Sequence, residues 1–126
     1  MVECYFYGMK IKIAFANDIP KIIAIAEATW KTTYAPFISL EQIDFMYEQM
    51  YTSASITQQM QDGHTFLIYS ESDAPLGFIS YFIREDGVLY IPKFYIKPQQ
   101  QGKGIGKKLL EAVEHIAKKN KISYVE

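Results

Sequence analysis

One short run constrains this chain more than any other: Gln99-Gln100-Gln101-Gly102-Lys103-Gly104-Ile105-Gly106-Lys107-Lys108-Leu109-Leu110. Before it lies Val88 to Ile96, rich in aromatic and branched residues, which reads as a strand. After it, Ile105, Leu109, Val113, Ile116 and Ala117 recur at helical spacing, with Lys107, Lys108, Glu111, Glu114, Lys118 and Lys119 on the opposite side. A strand must therefore turn into a helix through three alternate glycines. Glycines leave backbone N–H groups unobstructed, and a starting helix adds unpaired N–H groups and the positive end of its dipole. The turn is built to receive a pyrophosphate or another anion.

Two common phosphate motifs do not fit. The dinucleotide fingerprint G-x-G-x-x-G needs one more residue than Gly102-x-Gly104-x-Gly106 supplies, and an acidic residue about 20 positions on. The P-loop needs four residues between its glycines and Ser or Thr after the lysine, where Lys108 follows Lys107. Gln101-x-x-Gly104-x-Gly106 instead resembles the acetyl-CoA signature (Q/R-x-x-G-x-G/A) of the GNAT superfamily of acyl-CoA N-acyltransferases. Phe94-Tyr95-Ile96-Lys97-Pro98 is similar to the strand end and proline that precede the loop in that family.

The remaining chain alternates between helical and strand periods. Met9, Ile11, Ile13 and Phe15 alternate with polar or small residues as in a half-buried strand. Asn17 or Asp18 can cap a helix carrying Pro20 in its first turn and Ile22, Ile23, Ile25, Ala26 and Trp30 on its apolar face. Ala35-Pro36-Phe37 breaks it. Ser39 and Gln42 have capping-box spacing ahead of Ile43, Phe45, Met46, Tyr47 and Met50, and a polar helix through Gln58 to Asp62 ends at Gly63. Strands follow at Thr65 to Tyr69, Leu76 to Ile83 and Val88 to Ile96, separated by turns at Ser72 to Pro75 and Arg84 to Gly87. Pro92 cannot donate to a ladder, which predicts a bulge or splayed edge. Asn120 closes the last helix, and Ile122 to Val125 begins a further strand.

The order β-α-α-β-β-β-α-β gives an α/β (α+β) fold, and the resemblance implies a mixed, mostly antiparallel sheet flanked by helices and splayed beside the strand before the loop. It implies acetyl-CoA as donor, with pantetheine along Phe94, Tyr95 and Ile96 and the pyrophosphate on the backbone of Gln101, Gly102, Lys103, Gly104, Ile105 and Gly106. Lys103 and Lys107 either meet adenosine phosphates as point charges or form an ordinary solvated helix face, the simpler role for any one exposed lysine. It implies transfer to a primary amine of a small molecule or protein, with no metal. The alternative is a CoA-binding or assembly protein of the same fold with impaired catalysis.

An alkyl ammonium has a pKa of about 10, so a base or water chain must take its proton. In this family a base is frequently a carboxylate on the central strands, and Val88 to Ile96 carries no Glu, Asp or His. His64, Tyr90 and Glu85 are the remaining candidates, each with an ordinary structural role open to it, and no catalytic residue is assigned. Trp30, Tyr34, Phe37, Tyr47 and Tyr51 fall where the family's first helices wall the acceptor pocket, although aromatics at helical spacing also serve as core. Glu41, Asp44 and Glu48 can attract a cationic amine or simply be solvated.

Family members usually continue past the strand at Ile122 into a helix and two closing strands. Residues 9–126 therefore read as a C-terminally incomplete domain, with 1–8 as an extension in which Tyr5, Phe6 and Tyr7 can add a strand. The sequence is then a truncated piece, or a naturally shortened product, or a sheet that a second copy completes as a homodimer. Cys4 is the single cysteine, as suits a reducing cytoplasm. No apolar stretch reaches the roughly 20 residues that span a bilayer, and the net charge of −1 gives no basic excess for nucleic acid. The expected partners are acetyl-CoA and an unidentified amine, with neither nucleic acid nor membrane.

Overall fold

A computed structural model of the 126-residue chain describes residues 11–34, 36–37, 39, 41–42, 44–45, 51–72, 74–122 and 124–125. Its sheet runs in the order β1 (Ile11–Ile13), β2 (Thr65–Glu71), β3 (Ala74–Ile83), β4 (Val88–Ile96) and β5 (Tyr124–Val125). The first four strands are antiparallel, and β5 lies parallel to β4 through Val88 and Leu89. Helices α1 (Ile19–Tyr34), α2 (Ser53–Gln61) and α3 (Ile105–Lys119) supply the covering layers. The α/β order expected from the periodicity is the one observed. The extension at 1–8 lies outside the described residues, as do Met9, Ile43, Met46, Tyr47, Glu48 and Met50.

Each face of the sheet has its own core. On one face Ile22, Ile25, Ala26 and Trp30 of α1 meet Tyr51, Ile56 of α2, Phe66, Ile68 and Phe78. On the other, Ile105, Leu109, Ala112, Val113 and Ala117 of α3 meet Leu67, Ile79 and Leu89. Each branched side chain so buried contributes about 1.5–3 kcal/mol before entropy is counted, so α3 is held by its apolar stripe. Asn120 caps α3, its Nδ2 donating to the Ile116 carbonyl at 2.8 Å. Lys108, expected in water, instead leans over the Tyr69 ring with Nζ 5.8 Å from the centroid.

The turn residues behave as their chemistry requires. Gly87 adopts φ +83° and its N–H donates to the Arg84 carbonyl at 3.0 Å. The Ser39–Gln42 capping box is present, Gln42 N donating to Ser39 Oγ at 3.2 Å and Ser39 N to Gln42 Oε1 at 3.3 Å. The first strand is shorter than its alternation suggests. After Ile13 only the Ala14 N–H continues the ladder, to the Phe66 carbonyl at 2.8 Å, and Phe15 is 64% exposed. The reason is Asp18, which does not cap α1 forward. Its buried carboxylate turns back to accept from the Phe15 N–H at 2.9 Å, Lys12 Nζ at 3.0 Å and Lys21 Nζ at 3.2 Å, while Ala16–Asp18 forms a 3-10 turn.

The bulge expected at Pro92 is present. Ser80 pairs with Lys93 and Phe82 with Tyr90, so two steps along β3 match three along β4. The extra residue reverses which side chains face which helix. Leu89 and Ile91 pack on the α3 side. Beyond the bulge Ile96 packs there too, while Tyr95 packs on the α1 side and Lys93 reaches the Tyr51 ring of that same core.

Candidate functional site

The glycine run leaves β4 through a 3-10 turn at Pro98–Gln100, with the Lys97 N–H tied to the Leu76 carbonyl at 2.9 Å. Gln101 Nε2 reaches back to the Ile96 carbonyl at 3.1 Å and fastens the loop to the strand end. Gly102 and Gly104 both sit at φ +84°, the left-handed region, with nothing within 4 Å of where a Cβ would stand. Glycine is needed there for backbone conformation, not for space. The first helical bond is Lys108 N to the Gly104 carbonyl at 3.1 Å. Among the described residues, the N–H groups from Gly102 through Lys107 donate to no backbone carbonyl. A continuous run of donors at the start of a 15-residue helix has the chemistry and the dipole that suit an anion.

The side chains singled out around it divide in role. Gln101, Lys103 and Lys107 are exposed, with Lys103 Nζ 3.4 Å from Gln100 Oε1. The Ile105 side chain is core, so only its backbone is available to a ligand. Phe94 is 39% exposed and stands 3.5 Å from the position of a Cβ on Gly106. The Ile96 side chain packs toward α3. Tyr95 points to the opposite face, where its hydroxyl accepts from Tyr51 Oη at 3.0 Å and Trp30 Nε1 at 3.4 Å. These rings form a core lock, with Trp30 and Tyr51 edge-on at 5.9 Å and Tyr51 and Tyr95 at 6.1 Å. Trp30 and Tyr51 are thus buried, whereas Phe37 is 80% exposed. The side chain of Tyr34 and all of Tyr47 lie outside the described residues.

The α1 face of the central strands carries polar groups that sequence periodicity does not reveal. His64 stacks on Phe82 at 4.5 Å and 23°, and Phe82 meets Tyr90 edge-on at 5.4 Å. Its Nδ1 is buried without a hydrogen-bond partner. Burial lowers its pKa below the ordinary value, the Lys93 charge lowers it further, and Asp62 opposes them, so the neutral ring is favoured. Lys93 is half-buried, with Nζ 5.5 Å from the Tyr51 centroid, and burial lowers its pKa. Ser80, across from Lys93, is fully buried and its Oγ has no partner. Gln59 Oε1 of α2 is likewise buried and unpaired. Tyr90 is 36% exposed, and Glu85 stays in its exposed turn.

Sequence reading missed Lys93, Ser80, Gln59 and Gly77. The signal for Lys93 was the Pro92 bulge, which re-aims the residues after it. Gly77 pairs with Ile96, and a Cβ there would fall 2.6 Å from Ile96 Cδ1 and 3.1 Å from the Tyr95 carbonyl. Its smallness lets the end of β4, and hence the loop, seat against β3.

Known proteins share this fold. The model of the acetyltransferase (GNAT) domain matches residues 34–126. A spermidine N(1)-acetyltransferase of Thermoplasma acidophilum is 28% identical over 120 residues, covering 91% of this chain and 74% of that protein. The crystal structure of PaiA N-acetyltransferase from Thermoplasma acidophilum in complex with coenzyme A superposes with a TM-score of 0.78 at 29% identity, over 90% of this chain and 76% of the other. A GCN5-related N-acetyltransferase from Ralstonia eutropha shares the fold at a TM-score of 0.72 and 16% identity, over 94% and 82%.

Proposed function

The chain belongs to the acetyltransferase (GNAT) family, and from that premise we propose that it moves an acetyl group from acetyl-CoA directly to a primary amine. The observation that carries this reading is the run of unpaired N–H groups from Gly102 to Lys107 at the start of α3, in a chain similar to a protein crystallised with coenzyme A. In this reading the pyrophosphate lies on the backbone of Gln101 to Gly106, with Lys103 and Lys107 beside the adenosine phosphates. Pantetheine runs along Phe94, Tyr95 and Ile96, which leaves the Tyr95 side chain to fix the strand from behind. The amine nitrogen forms the new C–N bond as the C–S bond breaks, CoA leaves as its thiol, and the amine gives up one proton. The relative that acts on spermidine supports an amine acceptor.

A second reading, CoA binding without turnover, is favoured by one observation: β4 carries no carboxylate. Release of CoA thiol in the presence of an amine separates the two.

The binding assignment is tested by calorimetric titration of the chain with acetyl-CoA and CoA, repeated with Gly104→Ala and Gly104→Glu. Alanine meets no neighbour at this site but is forced into the left-handed region, a cost of about 1–2 kcal/mol. It should weaken binding partially. Glutamate adds the same strain and a negative charge at the anion site, so binding should vanish while thermal unfolding stays cooperative. Unchanged affinity in Gly104→Glu would remove the loop from the site.

A further inference from the structure

We propose that the acceptor amine carries a carboxylate, held on the α1 side of β4 by the Lys93 ammonium and the Ser80 hydroxyl; this rests on the acetyl-transfer reading above. The bulge makes the placement possible. Without the extra residue at Ile91–Pro92, Lys93 would share the α3 side with Leu89 and Ile91; with it, Lys93 faces Tyr51. The anion cradle begins α3, whose apolar stripe packs on the opposite face of the sheet. Lys93 is therefore placed for something other than the phosphates of CoA.

What surrounds Lys93 is unusual for a half-buried cation. Among the described residues no carboxylate lies within ion-pair distance of its Nζ, which stands 5.5 Å from the Tyr51 ring centroid. The buried charge of Asp18, by contrast, is answered by two lysines and an N–H. Directly across the ladder, Ser80 is 0% exposed and its Oγ is unpaired. A buried hydroxyl and a half-buried ammonium that find no acceptor among the described residues are costly to the fold. They occupy cross-strand neighbouring positions on one face; the ammonium only donates and the hydroxyl can donate, so one accepting group can answer both. A carboxylate is such a group.

The same face holds two buried atoms that can accept, His64 Nδ1 and Gln59 Oε1, with the neutral imidazole favoured. They can take N–H groups from the acceptor's nitrogen. An amine bearing a carboxylate answers both sets. A polyamine in its ammonium form offers Lys93 no acceptor and sets like charges against it. This separates the chain from its spermidine-acetylating relative in the class of amine it selects.

The test uses matched acceptors, L-lysine against cadaverine and L-ornithine against putrescine, with spermidine as a fifth probe. CoA thiol release is followed in the wild type, Lys93→Met and Ser80→Ala, and each protein is titrated with acetyl-CoA. The wild type should favour the carboxylate-bearing member of each pair by about tenfold or more in kcat/KM. Lys93→Met should raise KM for those members by about tenfold with little change in kcat, and leave KM for the decarboxylated ones unchanged or lower. Ser80→Ala should move the same KM values by about threefold. Acetyl-CoA affinity should be equal in all three proteins. Preference for cadaverine, putrescine or spermidine in the wild type overturns the inference, as does a KM effect of Lys93→Met shared by both members of a pair. Loss of acetyl-CoA binding in Lys93→Met alone overturns it by placing Lys93 at the cofactor. A chain that binds acetyl-CoA but acetylates none of the five refutes it while leaving the CoA site standing. A wild type that does not bind acetyl-CoA removes the acetyl-transfer reading itself, and the inference with it.

Discussion

Replacing Asp18 by alanine tests whether one carboxylate fixes the junction of β1 and α1. Asp18 accepts the Phe15 N–H at 2.9 Å, a bond to a charged acceptor in a buried position, worth about 1.5–3 kcal/mol. The two ammonium contacts are discounted because the Lys12 and Lys21 side chains are 38% and 43% exposed, leaving about 0.5–1 kcal/mol each at most. Removing the carboxylate also recovers some desolvation, so the net loss is about 2–4 kcal/mol. For a chain of this size that corresponds to a fall of roughly 10 °C in melting temperature. Burial by itself raises the Asp18 pKa, but the Phe15 N–H and the two lysines more than offset it, and the folded value lies below the ordinary 3.8. A depressed folded pKa means the stabilisation is fully present above 3.8 and fades as pH falls through the folded value. Urea titrations of wild type and Asp18→Ala from neutral pH downward should show a constant gap that narrows only on the acid side of 3.8. A gap below about 0.5 kcal/mol at pH 7, or one that does not narrow in acid, would mean that the Asp18 carboxylate does not hold this junction.

Two further outcomes follow from close packing and from charge. Gly77→Ala drives a Cβ to 2.6 Å from Ile96 Cδ1 and should cost about 1–3 kcal/mol by thermal melting. Adding Ile96→Val removes that methyl and should restore part of the loss, whereas simple additivity would show that the contact is not the cause. His64 should titrate below 6.5 by NMR, and Lys93→Met should raise its midpoint, because Lys93 is one of the two causes of the depression. Any stability owed to the neutral ring is then present above 6.5 and lost as pH drops through the folded value. A midpoint at or above 6.5 contradicts the burial of this ring.

The sheet, the helices and the glycine loop were legible because each rests on a local rule. Aromatic and branched runs between turn residues mark β2, β3 and β4, the apolar stripe marks α3, and Pro92 marks the bulge. Phe15 misled because alternation continues past the point where Asp18 captures the chain. Lys93 and Ser80 stayed hidden for a different reason. Their meeting depends on which residues pair across β3 and β4 on either side of the bulge, and register is a property of two strands. Gly77 was unreadable since its function is to be absent where Ile96 and Ile105 arrive. His64 stands out beside Gly63 in the sequence, but its stack on Phe82 and the reach of Lys93's charge come only with the fold.

The bulge at Pro92 also sets a rule of number for β4. After Pro92, even-numbered Phe94 and Ile96 serve the α3 face and odd-numbered Lys93 and Tyr95 serve the other; before it, odd-numbered Leu89 and Ile91 serve α3. Swapping one side chain for another here disturbs a single contact. Deleting one residue would exchange the two inventories wholesale, driving an ammonium into the α3 interface and turning Phe94 and Ile96 toward the aromatic lock. Point substitution and length change are therefore unequal events in this strand: the first alters one side chain's contacts, the second reverses the facing of every residue beyond it.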